Sequence, residues 1–239
     1  MSADRPRVYL LDVEGTIAPI SLVYEQLFPY ARAHFAAFLA ENITHPQVAA
    51  DLALLVEENA AEADGSAPRL TGAADRVQAT VYLNWLMDRD RKSTALKSLQ
   101  GRIWKSGFES CELKGTLFAD VPQALERWSG RAQVAIYSSG SVEAQRLLLR
   151  YSIFGDLTGW IAAHFDTRTG PKTDCVSYAA IAAAMQVEPG QVRFYSDVVR
   201  ELDPAREAGC QTRLVVREGN AVAADGHGHI VIDGFDPEL

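Results

Sequence analysis

The chain has 239 residues, 48% of them hydrophobic, and a formal net charge of -8. That composition buries a real core, which excludes a disordered chain. The acidic balance, with no cluster of Lys and Arg, disfavours a nucleic-acid partner, although a local pocket of amides, Lys and metal can still take a small phosphate ester.

Taken in chain order, RVYLLD (7–12) is a short apolar run ending in an acid, which predicts a buried strand feeding a loop. From about Leu22 to Gly107 the texture turns helical, in four segments: 22–43, 46–64, 73–90 and 93–108. Between the second and third, the Ala- and Glu-rich stretch 57–76 predicts a helix end and an exposed loop, the place in this block where disorder is expected. After Gly115 helices and strands alternate: helical 119–130, strand-like 133–138, helical 141–152, strand-like 160–165, helical 173–187, strand-like 192–197, helical 200–209 and strand-like 212–216.

Such alternation implies an α/β fold, a doubly wound, mostly parallel sheet covered by helices on both faces. One strand precedes the helical block and the others follow it. The block therefore reads as an all-helical cap, residues 21–111, inserted into a core made of residues 1–20 and 112–239.

Cys111, Cys175 and Cys210 are odd in number and far apart, which fits a reduced compartment. The N-terminal apolar run is too short for a signal peptide, and no stretch approaches the roughly 20 apolar residues of a membrane helix. Cytoplasmic location without a membrane partner is the expectation.

In an open α/β sheet, ligands sit beyond the carboxyl ends of the strands. Asp12-Val13-Glu14-Gly15-Thr16 follows the first strand and sets two acids two residues apart. On extended backbone they share a side, where their repulsion calls for a hard cation such as Mg²⁺. Ser138-Ser139-Gly140-Ser141 ends a strand and opens a helix, so it suits phosphate oxygens or, through Ser141, simple helix capping. Lys172 lies in a Gly-Pro loop before a helix that Thr173 or Asp174 could cap. Asp197 ends another strand, with Glu201 and Asp203 close behind, and reads as a further metal-side acid or as a helix cap. His227 and His229 look like a metal pair, but nothing nearby completes a ligand set, so both are expected to be exposed.

Acid pair, hydroxyl, lysine and acid, each at the end of a successive apolar run, resemble the motifs of the haloacid-dehalogenase-like hydrolases. More narrowly, LLDVEGTIAPI, IYSSGSVEAQRLLL, FDTRTGPKTDCVSY and SDVVRELDPAREAG are similar to the acireductone synthases, or enolase-phosphatases, of methionine salvage. Most phosphatases of the superfamily carry Asp at the second acid position, and Glu14 is the usage of this branch.

The resemblance implies Asp12 as nucleophile, Glu14 as acid/base, and Ser138, Ser139 and Lys172 as phosphate holders. It implies Mg²⁺ held by Asp12, the backbone carbonyl at Glu14, and Asp197, and a small phosphate-ester substrate, 2,3-diketo-5-methylthiopentyl 1-phosphate. It further implies a monomer. Enolisation also needs a base, for which Glu14 or a cap residue could serve. Phe28, Tyr30, Tyr82, Trp85, Trp104 and Phe108 are candidates for an apolar substrate wall, with helix packing the better reading for most of them. Two rivals are a phosphatase of another small ester without an enolase step, and a non-catalytic protein on the same fold.

Overall fold

The computed structural model describes residues 5–221 and 226–235. The chain divides into two compact units, Met1–Val23 with Lys114–Leu239, and Tyr24–Leu113.

The first unit carries the strands: β1 (Val8–Leu11), β2 (Gln133–Tyr137), β3 (Ala163–Phe165), β4 (Val192–Ser196), β5 (Gln211–Val215) and β6 (Ile230–Ile232). They form one parallel sheet in the order β3-β2-β1-β4-β5-β6. From β1 the chain builds outward through β2 and β3, then returns to the other side of β1 for β4, β5 and β6. The order reverses between β1 and β4, which opens a crevice beyond their carboxyl ends.

The α-helices among the described residues are α1 (Phe28–Asn42), α2 (Pro46–Ala61), α3 (Arg76–Asp88) and α4 (Thr94–Glu109) in the second unit, and α5 (Val121–Ser129), α6 (Val142–Arg150), α7 (Cys175–Ala184) and α8 (Val199–Glu207) in the first.

Two-residue periodicity sorts the central strands onto two cores. Val8 and Leu10 of β1, Ala135 and Tyr137 of β2, and Val192 and Phe194 of β4 pack with Tyr178 and Ile181 of α7 and Leu202 and Ala205 of α8. The intervening Tyr9 and Tyr195 face the other way, where Tyr9 stacks on Trp128 of α5 at 4.5 Å and Tyr195 meets Phe235 edge-on at 5.5 Å. Each such aromatic pair adds about 0.5–1.5 kcal/mol beyond its area. With both faces buried, β1 is apolar throughout and β4 is apolar up to Ser196 except for Arg193, and acids follow where both strands end.

In the helical unit, Phe35 and Leu39 of α1, Leu52 and Leu55 of α2, Tyr82, Leu83 and Leu86 of α3, and Leu99 and Ile103 of α4 share one core. Asp75 caps α3 through the Gln78 N–H at 2.9 Å, and Ser93 caps α4 through the Leu96 N–H at 2.9 Å. Each cap is worth about 1 kcal/mol. Glu58 of α2 accepts from the Ser93 hydroxyl and, at 2.9 Å, from the Thr94 N–H, which sets a carboxylate on the positive end of α4. Tyr82 and Trp85 are core residues, and Trp104 donates to the Leu27 carbonyl at 2.8 Å while stacking on Phe28. These aromatics are accounted for by packing.

Four local expectations need correction. The segment 22–43 is not one α-helix: Leu22–Leu27 is a π-helix running into α1. Pro29 explains the switch, because in a continuous α-helix its ring would meet the Glu25 carbonyl and its missing N–H would leave that carbonyl without a donor. The stretch between α2 and α3 is irregular but tied down. Asn59 donates to the Pro68 carbonyl and accepts from the Leu70 N–H, each at 2.9 Å, and Leu70 is buried. Strand β6 lies outside the expected strands, because two of its three residues are exposed and no buried apolar run marks it. Finally, His229 is not exposed: its side chain is fully buried, with Nδ1 at 2.8 Å from the Thr212 hydroxyl and Nε2 at 3.1 Å from Asp203.

Burial disfavours the charged form of two histidines. His229 is held below its ordinary pKa chiefly by desolvation, and His164 on β3 is lowered to about 4 by desolvation and then by Arg146. A histidine with a depressed folded pKa stabilises the protein above its unfolded value of about 6.5, and that contribution is lost as pH falls toward the folded value. The gap in melting temperature between wild type and His164→Gln, measured from neutral pH down to about pH 4.5, should therefore shift in favour of the variant as the solution is acidified. A gap independent of pH would show that the imidazole is not held neutral.

Candidate active site

The strand ends at the crevice bring together residues remote in sequence. Asp12 is the first residue after β1 and is 3% exposed. Its Oδ1 accepts from the Val13 N–H at 2.7 Å and from the Lys172 ammonium, and its Oδ2 accepts from the Ser196 hydroxyl at 3.4 Å. Lys172 is buried as well, and its Nζ also donates to Glu201 at 2.9 Å. Burial works against the charge on Lys172, but Asp12 and Glu201 outweigh it and hold the ammonium above its ordinary pKa.

Main-chain anchors fix the lysine loop. The Tyr178 hydroxyl lies 2.8 Å from the Lys172 carbonyl and 2.9 Å from that of Glu201, and the Tyr137 hydroxyl donates to the Gly170 carbonyl at 2.9 Å. A one-residue slip of this loop would part Lys172 from both of its carboxylates.

Glu14 lies across from the end of β2, where its Oε2 accepts from the Ser138 hydroxyl at 3.2 Å. Burial first, and Asp12 second, push its pKa above the usual carboxylate value. Asp197 follows β4 and is pushed up to about 7, again by burial and then by Asp12. It sits directly on the loop after β1, since a Cβ built on Gly15 would fall 2.2 Å from its Oδ2. From the far side Asn220 donates to the Gly15 carbonyl at 2.8 Å, so this loop is held at both edges.

The sequence-level alternatives separate cleanly. Ser141 is the cap of α6, accepting from the Ala144 N–H at 3.2 Å, while Ser138 is buried and faces Glu14. Ser139 is exposed on the same turn. Asp174 caps α7 through the Val176 N–H at 2.9 Å, which leaves Lys172 to the carboxylates. Asp197 does not cap α8, whose preceding turn is tied instead by the Ser196 hydroxyl accepting from the Val198 N–H at 3.1 Å. Asp203 turns away, to Arg206 and His229.

Glu201 was noted in the sequence only as a nearby acid, yet it is buried and joins Lys172 to Ser196, whose hydroxyl lies 3.2 Å from it. Its pKa is raised by burial and by Asp12. The available signal was its position in the first turn of the helix after Asp197, on the side that returns to the strand end.

Four carboxylates, Asp12, Glu14, Asp197 and Glu201, thus share one buried region with a single lysine among the described residues they contact. Hard oxygen donors in excess of positive charge suit a divalent cation. No group of three His, Cys, Asp or Glu forms a ready cage among the described residues. Asp12 and Asp197, which follow β1 and β4, are carboxylates that could hold such a cation together with main-chain oxygen.

A family model described as haloacid dehalogenase-like hydrolase matches residues 6–209. The chain is 52% identical over 218 residues to enolase-phosphatase E1 of Synechococcus elongatus, covering 91% of each protein. It is 42% identical over 238 residues to enolase-phosphatase E1 of Sorangium cellulosum, covering 99% of this chain and 98% of that one. Among solved structures, the UTR4 protein of Saccharomyces cerevisiae superposes with a TM-score of 0.80 at 33% identity, over 97% of this chain and 99% of that one.

Proposed function

We infer the activity from one premise: the chain belongs to the haloacid dehalogenase-like hydrolases and, within them, to the enolase-phosphatases. The reaction is the enolisation and dephosphorylation of 2,3-diketo-5-methylthiopentyl 1-phosphate to acireductone, a step of methionine salvage. The observation that carries this reading is the meeting of Asp12, Glu14, Lys172 and Asp197 at the strand crossover.

A phosphate monoester resists attack because its charge repels nucleophiles, so the site must offset that charge and hold the attacking group in line. In this reading an Asp12 oxygen attacks phosphorus as the ester P–O bond breaks, giving an aspartyl-phosphate and the released alcohol. Glu14 hands its proton to the departing oxygen. It then takes a proton from the water that cleaves the acyl phosphate, which frees inorganic phosphate and restores Asp12. The upward shift of the Glu14 pKa, from burial and then from Asp12, supports the acid role because it favours the protonated form. Lys172, Ser138 and Ser139 hold the phosphoryl oxygens. Lys172 also aims Asp12 through its contact with Oδ1.

A divalent ion, Mg²⁺ in this reading, would be held by Asp12, Asp197 and the backbone carbonyl of Glu14, and supplies charge neutralisation at the phosphoryl group when bound. What supports this assignment is the placement of Asp12 and Asp197 at the ends of neighbouring strands, with Asp197 against Gly15 and its pKa raised by burial and then by Asp12. The helical unit inserted after β1 takes the part of the cap. The same reading takes the protein to be a cytoplasmic monomer.

The test is incubation with the diketo phosphate and Mg²⁺, following phosphate release and ultraviolet absorbance together. An enediol absorbance that rises and then decays, with both signals abolished by a chelator and restored by added Mg²⁺, is the expected outcome. Phosphate release without that absorbance would reassign the protein to phosphatases of another small ester. Full turnover in chelator would remove the metal from the mechanism.

A further inference from the structure

The turn after β2 is held by a side chain that the mechanism above does not use. Gln145 of α6 is 3% exposed, and its amide meets three groups. Nε2 donates to the Gly140 carbonyl at 3.0 Å and to the Phe165 carbonyl at 2.8 Å, while Oε1 lies 3.1 Å from His164 Nδ1. Both carbonyls can only accept, so the amide nitrogen must face them and its oxygen must face the histidine. The imidazole then carries its proton on Nδ1. His164, with its pKa lowered to about 4, is in the neutral form this arrangement needs.

The contacts continue toward the site. The Gly140 N–H donates to Ser138 Oγ at 3.0 Å, and that hydroxyl donates to Glu14 Oε2 at 3.2 Å. The Ser138 N–H joins Gln145 on the Phe165 carbonyl, at 3.3 Å. A hydroxyl has one proton, and with the Gly140 N–H on one of its lone pairs the proton is directed at the glutamate.

We propose that Gln145 is a positioning residue for Glu14: by pinning Gly140 and the end of β3 from inside the fold, it sets the Ser138 hydroxyl that orients the acid/base carboxylate. The inference rests on the assignment of Glu14 made above. It gives a hydrolytic purpose to a buried amide on a helix whose other buried residues, Leu147, Leu148 and Leu149, are apolar. Partners one layer behind an acting group commonly change rates by about 10- to 100-fold when removed.

The experiment is a double-mutant cycle on phosphate release in Mg²⁺, using wild type, Gln145→Met, Ser138→Ala and the pair, with melting temperatures recorded alongside. Met fills nearly the same volume and donates nothing. The expected result is a kcat lowered by about 10- to 100-fold with KM changed by less than about threefold. In the Ser138→Ala background the same substitution should cost less than about threefold, because its effect passes through the missing hydroxyl. An undiminished cost in that background, or a wild-type kcat in Gln145→Met, overturns the proposal.

Gln145→Glu keeps the shape but sets an acceptor against two carbonyls, and it carries the same cycle if the Met variant does not fold. Failure of both to fold would make Gln145 a folding residue and also overturn the proposal. Absence of phosphate release from the wild-type protein would instead sink the hydrolase reading, so the two failures are told apart.

Discussion

Asp12→Asn eliminates phosphate release, by at least about 10⁴-fold in kcat, because the amide cannot form the covalent phosphate and no other side chain contacting Lys172 can replace it in line. Glu201 is the other carboxylate on that lysine, but it is bonded to Ser196 as well and belongs to α8, behind the strand end. The variant should nevertheless fold. Asn keeps the acceptor that the Val13 N–H requires, and Lys172 retains Glu201 as its partner.

A second measurement sharpens this result. Asp12 contributes to raising the pKa of Glu14, Asp197 and Glu201, so its negative charge works against the other three in the metal-free protein. Removing it relieves that repulsion at the expense of a single ion pair. The metal-free melting temperature of Asp12→Asn is therefore expected at or above that of wild type, the pattern of a residue kept for chemistry at some cost to stability. Residual turnover above about one part in 10³ would take the nucleophile's role from Asp12, and a large fall in melting temperature would mean that the ion pair outweighs the repulsion.

Gly15→Ala is expected to damage both stability and metal binding. Gly15 has φ of +74°, a conformation that costs an L-residue about 1–2 kcal/mol. The added methyl would also fall 2.2 Å from Asp197 Oδ2 and 2.5 Å from its Cγ. No atom pair tolerates that approach. Either the loop carrying Asp12 and Glu14 withdraws, which Asn220 resists through the Gly15 carbonyl, or the Asp197 carboxylate swings away from Asp12.

Both outcomes separate the two acids proposed to share the cation. A melting temperature lower by several degrees and a Mg²⁺ affinity weakened by about tenfold or more should appear together in calorimetry. The control is Ala at Gly65, where an added Cβ meets nothing within 4 Å. Wild-type Mg²⁺ affinity in Gly15→Ala would mean that Asp197 does not hold the metal.

Much of this site is readable along the chain, for a physical reason. A strand buried on both faces is mostly apolar, so its end is marked where polar side chains take over from the apolar run. Asp12, Ser138 and Asp197 all announce themselves in that way, and the glycine-proline loop around Lys172 is equally plain. The helical block, too, shows in its three-to-four-residue spacing, because each helix needs an apolar stripe for the core it shares.

What remained hidden depends on partners distant in sequence. Lys172 and Asp12 are 160 residues apart, Ser138 and Glu14 are 124 apart, and no local pattern says that they meet. Glu201 looks like any acid in a first helical turn until β4 and the lysine loop close on it, and Gln145 looks like a helix-surface amide until Gly140 and Phe165 present their carbonyls. The burial of His229 follows from three-residue β6 pairing beside β5, a contact too short to leave a period. Local periodicity records which face of an element avoids water; which side chains then meet is decided by strand order and register, set by packing among all the elements at once.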